Sequence, residues 1–300
     1  MLSLLIPTYN YNVVPLVSEL IQQANTLQIE YEILIQDDAS TATAIATQNN
    51  KLSDFSFVQY IQLPKNVGRG ANRNLLIERA QYPWVLLLDC DMLPVDGFFL
   101  RNYIALIQQN KESVVYGGIC YHHEAPQPDA QLRWKFGMQR EAIPQAIREK
   151  KPYQHTLTSN LLAQKTILEA TPFHPNIQKY GYEDLVFVLE LEKKGIAINH
   201  IHNPLFHENL ESGAVFLNKT EEALDNLKQL IETKIVSPKA TRMSRWSRKL
   251  DFFPANTLIV LLFNVFRKTL VRHLTASEPK LFLFDFYKLG YYMHLIHKKK

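Results

Sequence analysis

The sequence predicts an α/β protein: a mostly parallel, Rossmann-like sheet with helices on both faces, followed by a basic, amphipathic helical extension. Three observations carry this. Short apolar runs alternate with stretches of helical spacing through the first 120 residues, the pattern of successive βα units. Residues 84–94 read WVLLLDCDMLP, an apolar run suited to a buried strand and broken abruptly by Asp89, Cys90 and Asp91. Charge is unevenly spread, because residues 239–300 carry 13 Lys/Arg against 3 Asp/Glu and leave 20 against 26 for residues 1–238.

In chain order, strand-like runs fall at 2–6, 32–35, 57–63, 84–88 and 113–119, and helical spacing at 13–27, 40–50, 70–81 and 97–109. No GxGxxG follows the first strand, which argues against a dinucleotide cofactor. From 121 to 156 the chain is polar and irregular, with a helix-like stretch at QREAIPQAIREKK, and is expected to run over the carboxyl edge of the sheet. HTLTSNLLA is strand-like, and the apolar stretch after Glu183-Asp184 in KYGYEDLVFVLELEKKG suits a buried helix. A loop carrying His200, His202 and His207 and a helix at 219–235 complete the first domain. The division expected is 1–236, comprising a nucleotide-binding half of Rossmann type (1–120) and a second half (121–236), and 237–300. Cys90 and Cys120 lie in apolar surroundings without zinc-type spacing, so no disulfide and a reducing, cytosolic compartment are expected. MLSLLIPTYN lacks the basic start and small-residue cleavage site of a secretory signal.

Two helices are expected in the extension, at 255–274 and 279–297. The uninterrupted apolar run is only Leu258 to Phe263, well short of the roughly 20 residues that span a bilayer. Leu258, Leu262, Phe266, Leu270 and Leu274 recur every four residues, with Arg267, Lys268, Arg272 and His273 between them. That pattern, with Trp246, Tyr287, Tyr291, Tyr292 and Lys298-Lys299-Lys300, fits a helix lying in an anionic membrane interface. The other reading is a helical hairpin packed on protein with a solvated basic face. Nucleic acid is disfavoured, because the basic residues are interleaved with long apolar faces.

Four features then fall at the carboxyl edge of one sheet, where open α/β sheets bind ligands. They are Pro7-Thr8-Tyr9-Asn10, Asp37-Asp38-Ala39-Ser40, Asn66-Val67-Gly68-Arg69-Gly70 with Arg73-Asn74, and Asp89-Cys90-Asp91. Two carboxylates at i and i+2 share one face of extended chain and suit a hard cation shared with a phosphate. Each feature also has a plain structural reading: Asp38 and Ser40 cap a helix, the glycines relax a turn, and Asp89-Cys90-Asp91 is a polar turn.

Taken in order, IPTYN, DDAS, NVGRGANRN, LLLDCDM and GYEDLVF resemble the inverting glycosyltransferases of family 2, which have the GT-A fold. The resemblance covers about residues 1–235. It implies nucleotide-sugar contacts from Pro7, Thr8, Tyr9, Asp38, Asn66, Gly68, Arg73 and Asp89, metal contacts from Asp89 and Asp91, and a catalytic base at Asp184, with Glu183 as the alternative. Chondroitin-polymerising and β-galactosyl-transferring relatives place a histidine after the Glu-Asp helix, which makes His207 the candidate third ligand and His202 its competitor. An imidazole suits manganese better than magnesium. Gly117, Gly118, Ser159 and Asn160 are candidates for the sugar site, and Trp134 for stacking on an acceptor sugar, with packing as the other reading of each.

The expected function is metal-dependent (Mn²⁺ or Mg²⁺), inverting transfer of a hexose or N-acetylhexosamine from a UDP-sugar to a glycan. That acceptor is expected to be lipid-linked and part of surface polysaccharide synthesis, with the protein peripheral on the cytoplasmic face of the cell membrane. The alternative is a catalytically silent nucleotide-sugar-binding or scaffold protein of a glycan-assembly complex.

Overall fold

The computed structural model describes residues 1–109, 113–177, 179–251 and 255–297. The chain forms two compact units, one of 1–122, 140–178 and 183–209, the other of 123–139, 179–182 and 210–300. The helix Gly213–Glu232 therefore groups with the C-terminal helices.

The first unit holds the expected α/β architecture. Its strands are β1 (Leu2–Thr8), β2 (Tyr31–Asp37), β3 (Val58–Gln62), β4 (Trp84–Leu88), β5 (Met92–Pro94), β6 (Val114–Tyr116), β7 (Ile119–Cys120), β8 (Asn160–Gln164), β9 (Asn199–His200) and β10 (Leu205–His207). Seven of them form one sheet in the order β3-β2-β1-β4-β8-β6-β9, flanked by helices, and β5, β10 and β7 form a second. The central strands are largely apolar because both of their faces are covered, as parallel sheets require; Leu2, Leu4, Ile6, Val85 and Leu86 are fully buried. β8 departs from the parallel pattern and runs antiparallel to both β4 and β6. Its start thus lies beside the end of β4, with Asn160 opposite Leu88 and Asp89 N–H donating to Ser159 O at 3.2 Å. Thr8 lies opposite Asp37. The ends of β1, β2 and β4 and the start of β8 are therefore brought to one edge.

The run 113–119, expected as a single strand, divides at Gly117-Gly118 into β6 and β7, which belong to different sheets. A Cβ on Gly117 would stand 2.4 Å from the Tyr103 hydroxyl and 2.5 Å from Asn160 Nδ2, so the close approach of these groups excludes any side chain there. The helix-like stretch at 139–151 yields only the short helix Gln145–Arg148. Pro144 precedes it and cannot continue the turn Gly137–Glu141 into a longer helix.

The second unit is helical. The extension forms Arg242–Asp251, Ala255–Leu274 and Leu281–His297, and the last two pack against each other. Gly290 is the point of closest approach, where a Cβ would meet the Phe263 ring at 2.7 Å. Phe263, Leu270 and Leu274 are buried, as are Phe284, Tyr287, Tyr291 and Tyr292. The every-fourth-residue stripe is therefore split: Leu270 and Leu274 belong to the hairpin core, whereas Leu258, Leu261, Leu262, Val265 and Phe266 are exposed. Tyr287, Tyr291 and Tyr292 likewise serve packing. Tyr287 donates to Glu221, and Tyr291 donates to Asp225 at 3.2 Å. Trp246 remains exposed, with the Lys249 ammonium 5.5 Å from its ring. The closing Lys298-Lys299-Lys300 lies outside the described residues. Among the described residues, no helix is long and apolar enough to cross a membrane.

Candidate active site

The acidic residues at the sheet edge share a cationic centre. Arg73 sits in the helix Arg69–Arg79 and is 1% exposed. Its Nη2 donates to Asp89 Oδ1 at 2.6 Å and its Nη1 to Asp184 Oδ1 at 3.3 Å, with Glu183 Oε1 3.8 Å away. The guanidinium also lies 5.3 Å from the Phe173 ring centroid. Arg73, expected at the nucleoside, thus acts beneath the site and reaches it through Asp89 and Asp184. Burial alone would raise the Asp89 pKa, but the Arg73 charge, with Arg69 behind it, outweighs burial and holds Asp89 below the ordinary carboxylate range. Glu183 is shifted the other way, raised by burial and by the neighbouring Asp184.

Asp184 is oriented from a second side. The antiparallel course of β8 brings Thr158 to the same edge, where its Oγ1 donates to Asp184 Oδ1 at 2.5 Å and its N–H to Oδ2 at 3.3 Å. Oδ1 thus takes two bonds, one of them short, and Oδ2 takes one, at 3.3 Å. The Asp184 side chain is 24% exposed and Glu183 is 8%. Both open the helix Glu183–Lys193, whose N-terminal dipole favours negative charge. Asp184 is thus the more open of the two.

Just after β2, Asp38 is buried and accepts from Val67 N–H at 2.7 Å and Gly68 N–H at 3.0 Å. Its pKa is raised by burial, an effect these two bonds oppose. Asn66 braces the same loop, donating to Asp38 O at 3.1 Å and accepting from Gly68 N–H at 3.1 Å. Pro7 and Thr8 end β1 and Tyr9 follows it, exposed. Asp38, Asn66 and Gly68 are brought together as one loop clamp beside that turn.

A divalent cation is expected from the motifs, and its fit is tested by the donors present. Asp91 Oδ2 lies 3.7 Å from His207 Nε2, on β10, while β5 and β10 are paired. Adjacent ligands of an octahedral ion with bonds near 2.1 Å stand about 3 Å apart, so a small side-chain rotation closes the gap. Arg73 already occupies Asp89 Oδ1. Among the described residues, no group of three or more His, Cys, Asp or Glu side chains is assembled as a metal set. Asp91 and His207 therefore fit two positions of such an ion, and no closed protein cage is present among the described residues. His202, the competitor, is exposed in the loop before β10.

The sugar-site candidates separate. Asn160 is buried, donating to Gly118 O at 2.8 Å and Asn203 O at 2.9 Å and accepting from Tyr103 at 2.7 Å, so with Gly117 and Gly118 it knits the strands together. Ser159 Oγ is buried without a hydrogen-bond partner among the described residues. Trp134 lies on Gln131–Phe136 in the second unit.

The Glycosyl transferase family 2 model matches residues 3–167, more than half of the chain. The chain belongs to glycosyl transferase family 2. No curated protein sequence matches it. Among solved structures, S. aureus TarS aligns with a TM-score of 0.52 at 17% identity, over 96% of this chain and 54% of TarS, so the chain spans about half the length of that protein. TarS 1–349 in complex with UDP aligns with a TM-score of 0.51 at 16% identity, covering 99% and 91%. The mannosyltransferase PcManGT from Pyrobaculum calidifontis, in complex with GDP-Man and Mn²⁺, gives 0.52 at 11% identity, covering 99% and 86%. At such identities these likenesses establish the GT-A fold.

Within this family 2 chain, two groups at the site were not singled out from the sequence. Thr158 became visible only once β8 ran antiparallel. Arg69 stands inside NVGRGANRN but reads there as one more charge at a helix start. In the structure its guanidinium is 3.8 Å from Glu183 Oε1.

Proposed function

We propose that the protein transfers a hexose or N-acetylhexosamine from a UDP-sugar, with inversion, to a hydroxyl of a lipid-linked glycan in surface polysaccharide synthesis. The observation that carries the reading is the single buried guanidinium of Arg73 holding Asp89 at 2.6 Å and Asp184 at 3.3 Å, so that donor-side and acceptor-side carboxylates share one rigid frame.

Asp184 Oδ2 accepts the proton of the attacking hydroxyl while Thr158 and Arg73 hold Oδ1. A positioned base of this kind contributes roughly 10²- to 10⁴-fold. One base and one displacement at the anomeric carbon give inversion, so an α-linked donor yields a β-linked product. Pro7, Thr8, Tyr9 and the Asp38-Asn66-Gly68 clamp orient the nucleoside, and Ser159 offers its hydroxyl to the sugar. Asp91, His207 and the outer side of Asp89 would hold a divalent cation, Mn²⁺ or Mg²⁺, which would neutralise charge on the diphosphate. The uncovered face Leu258-Leu261-Leu262-Val265-Phe266, with Trp246 and the neighbouring basic residues, suits an anionic bilayer surface, consistent with action at the cytoplasmic membrane face.

The test is transfer from UDP-sugars to a membrane extract, with isolation of the product and its linkage. The reading expects a metal-dependent β-linked product lost in Asp184→Asn. Donor binding without turnover of any acceptor supports the silent binding protein instead.

A further inference from the structure

We propose that the helix Arg242–Asp251 binds acidic phospholipid headgroups at a bilayer surface through Arg242, Arg245, Trp246 and Lys249, an inference that rests on the membrane reading above and names its partner. Between residues 235 and 277 the chain carries eight Lys/Arg and a single acid, Asp251. Four of those cations, Arg242, Arg245, Arg248 and Lys249, lie on this one helix, and all four are exposed. Positions 242, 245, 246 and 249 fall at i, i+3, i+4 and i+7, so three cations and a tryptophan share one face. Trp246 is 59% exposed within that face, and the Lys249 ammonium lies 5.5 Å from its ring. Ser244 and Ser247 form the opposite, buried side. The ordinary partition is thus inverted: small polar residues pack inward and the large indole faces out. At the helix start the Thr241 hydroxyl accepts Ser244 N–H at 3.0 Å, and Arg245 donates to Lys239 O at 3.0 Å.

Charge alone would suit any polyanion. The indole narrows the class, because tryptophan flanked by Arg and Lys is the composition that settles at the headgroup level, where the ring leaves water and the cations meet lipid phosphate. The neighbouring helix Ala255–Leu274 supplies the second argument. Its exposed Leu258, Leu261, Leu262, Val265 and Phe266 lie in a stretch, 255–266, that holds no charged residue. Arg267 follows that stretch and donates to Glu221 at 2.7 Å. The apolar stretch therefore offers area without a means of telling an acidic surface from a neutral one, and the helix Arg242–Asp251 offers the charge. Each basic residue held near an acidic bilayer strengthens partitioning about fivefold, so three on one face give about 100-fold.

The experiment is flotation of the full chain with vesicles of phosphatidylcholine alone and of phosphatidylcholine with phosphatidylserine, at low and high salt. Wild type is expected to partition about tenfold or more in favour of the acidic vesicles, an excess that high salt removes. The Arg242→Gln, Arg245→Gln, Lys249→Gln triple variant should lose about 100-fold on acidic vesicles. A second triple variant, Lys150→Gln, Lys151→Gln, Lys193→Gln, removes the same charge from exposed positions of the first unit and should stay within about threefold of wild type. Indole fluorescence should shift to the blue on acidic vesicles, and the shift should vanish in Trp246→Phe. Equal partitioning onto both vesicles, an equal loss in the second triple variant, or a shift that survives Trp246→Phe overturns the assignment. Stronger binding of wild type to duplex DNA than to acidic vesicles gives the face to nucleic acid and overturns it as well. If wild type floats with neither vesicle, the membrane reading itself fails and takes this one with it. If wild type floats with acidic vesicles and the first triple variant does so equally, only the role of this helix falls.

Discussion

The two units place their unusual residues in opposite ways. In the first, charged groups lie inside: Arg73, Asp89, Glu183 and Asp184 form one ionic frame whose members hold one another. In the second, large apolar groups lie outside: Leu258, Leu261, Leu262, Val265, Phe266 and Trp246 face outward. Buried polar groups and exposed apolar patches are the informative departures from ordinary partitioning, and each needs a compensating partner. The frame around Arg73 is largely self-compensated, with its open oxygens turned to a ligand. The helix face has no such internal compensation among the described residues, and the proposed function gives it a membrane surface as partner. If one region serves precision and the other adhesion, as proposed, they should respond to substitution differently.

The largest effect is expected at the frame. Asp184→Asn should lower transfer about 10²- to 10⁴-fold while leaving UDP affinity within about twofold, as read by steady-state kinetics beside calorimetry. Full retention of kcat would move the base to Glu183. Arg73→Met keeps bulk but strands three carboxylates, and urea denaturation should show about 3–5 kcal/mol of lost stability. In the hairpin, Gly290→Ala drives a methyl into the Phe263 ring and should destabilise by about 1–3 kcal/mol.

A smaller effect follows from His200, whose pKa is lowered to about 4 by burial and by Arg148, which lies 2.9 Å from its Nδ1. The unfolded chain takes up that proton near the ordinary value of 6.5, before the folded protein does. This contribution is present above about pH 6.5, is lost as pH falls toward 4, and amounts to at most about 2 kcal/mol after allowing for solvent. Denaturation midpoints across that range should decline in wild type and flatten in His200→Gln. The smallest change in stability, within about 0.5 kcal/mol per site, is expected for Leu261→Ser, Val265→Ser and Phe266→Ser. The triple variant should nonetheless lose flotation with phosphatidylserine-containing vesicles. Retained flotation would assign that face to another partner.

Much of the first unit was legible because local pattern and global fold agree there. Apolar runs gave β1, β2 and β4, and helical spacing gave the intervening helices to within a few residues. The candidate residues were legible because several sit where strands end. What escaped depended on contacts distant in sequence. The burial of Arg73 follows from 111 positions of separation to Asp184, and Thr158 reaches Asp184 because β8 reverses direction. Neither leaves a periodic trace. In the hairpin, the stripe read as one membrane-facing face was divided by packing: Leu270 and Leu274 turn inward with Phe263, while Leu258, Leu262 and Phe266 stay outward beside Leu261 and Val265. Periodicity identifies an amphipathic helix without saying which apolar residues a neighbour covers.

The most direct measurement is calorimetric titration of UDP into the wild-type protein and Asp91→Ala, each with and without Mn²⁺. The account predicts that Mn²⁺ strengthens UDP binding to wild type about tenfold or more and has no such effect in Asp91→Ala. UDP affinity that is indifferent to Mn²⁺, or a metal effect that survives Asp91→Ala, would contradict the assignment of Asp89 and Asp91 to a metal-assisted donor site.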